Sequence, residues 1–136
     1  MTQSPRIPAD RRSAGERAED LVALHVERHG WSVVARNVRR REGEIDLIAL
    51  DGHTLVFGEV KALMPRDGVP GFSPLESIGP RKQRRIRMLA AMWLADGERR
   101  AHLPGRSFST VRFDAFAVTL GRDGAALDLD HRKGAF

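Results

Sequence analysis

The chain has 136 residues and a mass of 15.1 kDa, the size of one domain rather than two. With 41% apolar residues and a mean hydropathy of −0.37 it can build one core, and no apolar run approaches the ~20 residues of a membrane-spanning helix. It contains no cysteine, which excludes disulfides, thiolate nucleophiles and cysteine-held zinc or iron–sulfur centres, and its 23 Lys plus Arg exceed 18 Asp plus Glu for a net charge of +5. All the cations except Lys61, Lys82 and Lys133 are arginines. Arginine's planar fork grips phosphate through paired hydrogen bonds, so the excess suits a polyanionic partner; solvated surface arginines account for composition alone equally well.

Met1 to Arg12 is too polar to order itself and reads as a loose arm, outside a single domain spanning residues 13–136. It lacks the apolar stretch of a secretory signal, so a cytoplasmic protein without membrane association is expected. Ser13-Ala14-Gly15-Glu16 has the form of a capping box, Ala18, Leu21, Val22 and His25 follow at helical spacing, and Gly30 stops the pattern. The spacing predicts a first helix over about 14–29. Strands are predicted at 31–37, 44–50 and 54–62, the last two joined by a turn at Asp51-Gly52. Residues 62–79 hold three prolines and three glycines and read as an irregular connection. Gly79-Pro80 opens a second helix whose Ile86, Leu89, Ala90, Trp93 and Leu94 form an apolar stripe, closed by Gly97. Strands at 111–120 and 126–130 complete the order α-β-β-β-α-β-β, a mixed α/β domain with helices packed on a small sheet.

The chemistry concentrates on the hairpin. Side chains alternate along a strand, so Glu59 and Lys61 share a face with Phe57, and Asp46 shares one with Ile48 and Leu50. A four-residue loop, Asp51 to Thr54, sets Asp46 directly across from Glu59; a two-residue loop sets it on the diagonal. Either register brings Asp46, Glu59 and Lys61 together among apolar neighbours. Two carboxylates in such surroundings repel unless a cation lies between them, and a hard divalent ion such as Mg²⁺ suits oxygen ligands. A cross-strand salt bridge through Lys61 is the plainer alternative, less consistent with the apolar runs IDLIA and VFGEV.

The segments Gly43-Glu44-Ile45-Asp46-Leu47-Ile48-Ala49 and Phe57-Gly58-Glu59-Val60-Lys61 resemble the YraN family of small bacterial proteins. That family belongs to the restriction-endonuclease-like, PD-(D/E)xK, superfamily and is similar to archaeal Holliday junction resolvases. The resemblance extends to Gly15-Glu16, Ala18, Gly30, Arg36-Asn37, Lys82, Arg85-Ile86 and Arg112-Phe113-Asp114. It implies a restriction-endonuclease-like mixed sheet flanked by helices, and a nuclease in which Glu16, Asp46 and Glu59 hold Mg²⁺ or Mn²⁺ and Lys61 is the catalytic lysine. It further implies branched or structured DNA as partner and a two-fold homodimer. Gly58 stands where a bulkier apolar residue is usual, and Ala62-Leu63 replaces a hydroxyl-plus-arginine pair that commonly follows the lysine. From spacing alone Glu16 is a capping partner of Ser13.

Arg39-Arg40-Arg41, placed in the turn before the Asp46 strand, and Arg81, Lys82 and Arg85 at the start of the second helix form two basic clusters. Together with Arg36 they are candidates for gripping a nucleic-acid backbone. His25 and His29 lie four apart on the first helix, but HVERH misplaces the glutamate of a zincin helix and offers no third ligand, so a surface pair is expected. Two rivals accompany the nuclease reading: a nucleic-acid-binding protein that keeps the fold as a scaffold, and an adaptor docking a partner through the 62–79 connection.

Overall fold

The computed structural model describes residues 13–64, 78–97, 103 and 107–136. The N-terminal arm and most of the 62–79 connection, with the adaptor surface placed on it, lie outside the described residues.

Helix α1 (Ala14–Arg28) is followed by β1 (Ser32–Arg40), β2 (Gly43–Asp51) and β3 (Thr54–Leu63), then α2 (Pro80–Ala95), β4 (Thr110–Leu120) and β5 (Ala126–Arg132). The order is the expected α-β-β-β-α-β-β, a mixed α/β fold. The strands form one sheet in the order β1-β2-β3-β4-β5. Neighbours are antiparallel except β3 and β4, which run parallel, and the connection between those two contains α2. A parallel pair needs such a crossover, so the helix is positioned by the sheet it covers.

The two helices cover opposite faces. On one, Ala18, Val22 and Val26 of α1 pack with Trp31, Leu47, Ala49, Val56, Phe116, Val118 and Leu120. On the other, Leu89, Ala90 and Trp93 of α2 pack with Ile45, Ile48, Leu50, Leu55 and Phe57, where the Phe57 and Trp93 rings meet edge to face at 5.8 Å. Strands β2, β3 and β4 are therefore apolar on both sides, which explains their nearly unbroken hydrophobic sequences.

One boundary differs from expectation. Arg39 and Arg40 belong to β1, where they pair with Glu44 and Gly43, and the turn is Arg41-Glu42. The polar sequence signals a turn, but β1 is an edge strand and tolerates charge on its open side.

Candidate metal centre

The β2–β3 hairpin closes through Gly52-His53, with Asp51 paired to Thr54 and Leu50 to Leu55. Gly52 has φ +60°, a conformation the tight turn requires and glycine adopts without strain. Carried along the strands, this register sets Asp46 opposite Glu59, as the longer of the two loops considered would. The ladder itself ends one step earlier, at Leu47 and Gly58. Beyond it the N–H of Val60 donates to Asp46 Oδ2 at 2.8 Å, a side chain taking the place of a strand carbonyl.

Simple alternation fails at this point. Ile45 and Ile48, three residues apart, both pack on the α2 side, whereas Leu47 packs on the α1 side. Asn37 of the neighbouring β1 has φ +50°, the one non-glycine residue with positive φ among those described. Asn37 hydrogen-bonds the Glu19 side chain. The carboxylates of Asp46 and Glu59 therefore do not share a regular strand face, yet at the open end of the ladder they lie close enough for the charge of Glu59 to act on Asp46. Asp46 meets α1, where its carboxylate lies with those of Glu19 and Glu44, one oxygen from each within 4.8 Å of the others. Glu59 meets α2, with Oε1 2.5 Å from Lys82 Nζ.

The electrostatics follow from that crowding. Burial pushes the Asp46 carboxyl up to about 7; Glu59, Glu19 and Glu44 add to the effect, and the Val60 N–H opposes it. Glu19 is raised as well, by burial first and Glu44 second, with the Asn37 hydrogen bond opposing. Carboxyls crowded in this way could hold a divalent cation in exchange for protons. The donor set is all carboxylate oxygen and half-buried, which fits Mg²⁺ or Mn²⁺.

Glu16 is exposed and completes the capping box: its N–H donates to Ser13 Oγ at 3.1 Å, and the Ser13 hydroxyl donates to Glu16 Oε1 at 3.3 Å. It borders an open cleft of about 490 Å³ that Glu19 and Glu44 also line. The helical acid in contact with Asp46 is thus Glu19, one turn beyond Glu16. Lys61 lies two residues past Glu59 on β3 with an exposed side chain.

The proposed phosphate-binding cations divide into two sets. Arg36 is paired with Asp20 at 2.6 Å, Arg39 with Glu44 at 3.4 Å, Arg40 with Asp96 at the end of α2, and Lys82 with Glu59. Arg41, Arg81 and Arg85 are exposed.

The Arg112-Phe113-Asp114 segment has a structural role. Asp114, fully buried, accepts from Arg112 Nε and Nη2 at 2.8 and 2.9 Å, from His131 Nε2 at 2.8 Å and from the Gly134 N–H at 3.0 Å. Burial acts to raise its carboxyl, but those hydrogen bonds win and hold it below the usual range.

Residues 18–118, a span that contains Asp46, Glu59, Lys61 and Asp114, match the family described as "Uncharacterised protein family UPF0102". A UPF0102 protein of Rhodococcus jostii is 43% identical over 122 residues, covering 90% of this chain and 94% of its own. One from Acidothermus cellulolyticus is 40% identical over 134 residues, covering 93% and 95%, and one from Pelotomaculum thermopropionicum is 36% identical over 126 residues, covering 93% and 97%. The chain belongs to the UPF0102 family, the YraN proteins that its GEIDLIA and GEVK segments resemble.

Proposed function

We propose that this protein is a Mg²⁺- or Mn²⁺-dependent endonuclease of the restriction-endonuclease-like class that hydrolyses phosphodiester bonds in branched or structured DNA, in the manner of archaeal Holliday junction resolvases. The observation that carries the reading is the crowding at Asp46: where the β2–β3 ladder opens, its carboxylate lies with those of Glu19 and Glu44, feels the charge of Glu59, and is followed on β3 by Lys61. Asp46 and Glu59 would hold the ion, with Glu19 and Glu44 behind Asp46 and Glu16 at the rim of the cleft. When bound there, the ion supplies an acidified water and a polarised phosphate. Lys61 orients the attacking water or balances charge developing on the phosphate. Arg41, Arg81 and Arg85 hold the backbone without reading bases. A two-fold homodimer fits a four-way junction; a monomeric mass in light scattering across micromolar concentrations would contradict that part.

Lys82 lends support to a second reading. Its ion pair with Glu59 neutralises a metal-binding carboxylate, as a scaffold that binds nucleic acid without cutting it would tolerate. Cleavage of labelled four-way junction, flap, single-stranded and duplex DNA with Mn²⁺ separates the two. Cutting lost in Asp46→Asn and Glu59→Gln, with binding retained, supports the nuclease. Tight binding with equal background cutting by all three proteins leaves the scaffold.

A further inference from the structure

His25 and His29, one helical turn apart at the end of α1, have ring centres 4.4 Å apart. The fold brings a third imidazole to them: His131 of β5 stands edge-on to His25 at 6.3 Å. All three line one cavity of about 240 Å³, together with Trp31, Asp51 and Lys133. This cavity does not include the carboxylates of the candidate metal centre.

Hydrogen bonds orient two of the rings. His131 Nε2 donates to the buried carboxylate of Asp114 at 2.8 Å, which leaves Nδ1 as the nitrogen available to a ligand. His29 Nδ1 donates to the His25 carbonyl at 2.8 Å, which leaves Nε2 available. An imidazole held by a carboxylate or carbonyl on one nitrogen and open on the other is how proteins prepare a histidine for a metal. The end of a helix, with its unsatisfied carbonyls, also favours a cation.

We propose that His25, His29 and His131 form a nitrogen-donor site for a borderline-soft divalent ion of the Zn²⁺ type, independent of the carboxylate centre. Ring centres of two imidazoles on one tetrahedral zinc stand about 5 Å apart, given a Zn–N distance of about 2.1 Å. The separations of 4.4 and 6.3 Å bracket that value, so on binding the His25 ring turns towards His131, which stays on Asp114. Asp51 is the fourth group on hand; its Oδ2 is shared with Arg112 at 3.0 Å and Lys133 at 3.8 Å. Lys133 is exposed and can swing from the cavity. Bound there, the ion ties the end of α1 to β5.

The test is titration of the full-length protein with Zn²⁺ in excess Mg²⁺, which saturates oxygen sites without competing for nitrogen. One ion is expected to bind with a Kd of about 10 µM or tighter. His29→Ala and His25→Ala are expected to weaken it at least about tenfold, whereas Asp46→Asn leaves it unchanged. Both histidines lie outside the buried core, and circular dichroism of each variant verifies the fold. No binding below about millimolar Zn²⁺ overturns the proposal, as does binding that both histidine variants retain, or binding lost in Asp46→Asn. None of these outcomes bears on the nuclease reading.

Discussion

Asp46 couples the fold to pH in a direction opposite to most carboxylates. Its folded value, about 7, lies above the ordinary 3.8, so the folded state holds the proton more tightly than the unfolded chain. The contribution to stability is present below the unfolded value and lost as pH rises from about 4 to about 7. Asp46→Asn keeps an oxygen for the Val60 N–H and removes the charge. It is expected to raise the melting temperature at pH 8 by roughly 5 °C in the absence of divalent ions, a shift that vanishes at pH 4. Gly58 gives a second residue-scale expectation. A Cβ there would lie 3.0 Å from Phe116 Cε2 and 3.4 Å from Leu47 Cβ. The space a side chain would take is filled by the Phe116 ring, which also stacks on His131 at 4.2 Å. Gly58→Val should cost about 1–3 kcal/mol in chemical denaturation.

At the scale of elements, two joints hold the arrangement. The first is the opening of the β2–β3 ladder, where Asp46 leaves strand alternation to meet α1. The hairpin and the identity of Asp46, Glu59 and Lys61 were legible in the sequence; its register was not, because the Asp51-Gly52 signal fits two loops, and the turn falls one residue later, at Gly52-His53. Glu19 and Glu44 were not, although Glu19 lies one turn from Glu16. Their approach depends on how α1 docks on the sheet and on the left-handed Asn37, neither of which is a local property. The same holds for His131, which reaches His25 only because β5 pairs antiparallel to β4. The second joint is Asp114, which links Arg112 and His131 on adjacent strands and, through Arg112, Asp51 of β2. Asp114→Ala leaves a half-buried guanidinium and imidazole without this acceptor, although Arg112 keeps Asp51, and should cost about 1–3 kcal/mol. Because the Asp114 carboxyl is held low, the stability it gives is present above the ordinary carboxylate range and lost as pH falls through its folded value.

For the whole molecule, a charge of +5 overstates the cations open to a polyanion. Arg36 and Arg40 are committed to acids of the protein itself and Arg39 is loosely paired with Glu44, so the open cations named here gather on the β1–β2 turn and the outer side of α2. Composition could not make that division; the ion pairs do. Arg81→Ala and Arg85→Ala should each weaken DNA binding across all sequences and reduce the salt slope by about 1, while Arg36→Ala leaves the slope unchanged. Fluorescence anisotropy over a series of salt concentrations measures both effects.

The central claim is that the carboxylates at the open end of the β2–β3 ladder exchange protons for a divalent ion. Titration of Mn²⁺ into the protein at a series of pH values, followed by the paramagnetic resonance of the free ion, addresses it directly. The expected affinity rises with pH through about 7, as the Asp46 carboxyl ionises, and is lost in Asp46→Asn. Mn²⁺ binding that is indifferent to pH across that range, or retained in Asp46→Asn, would contradict the claim.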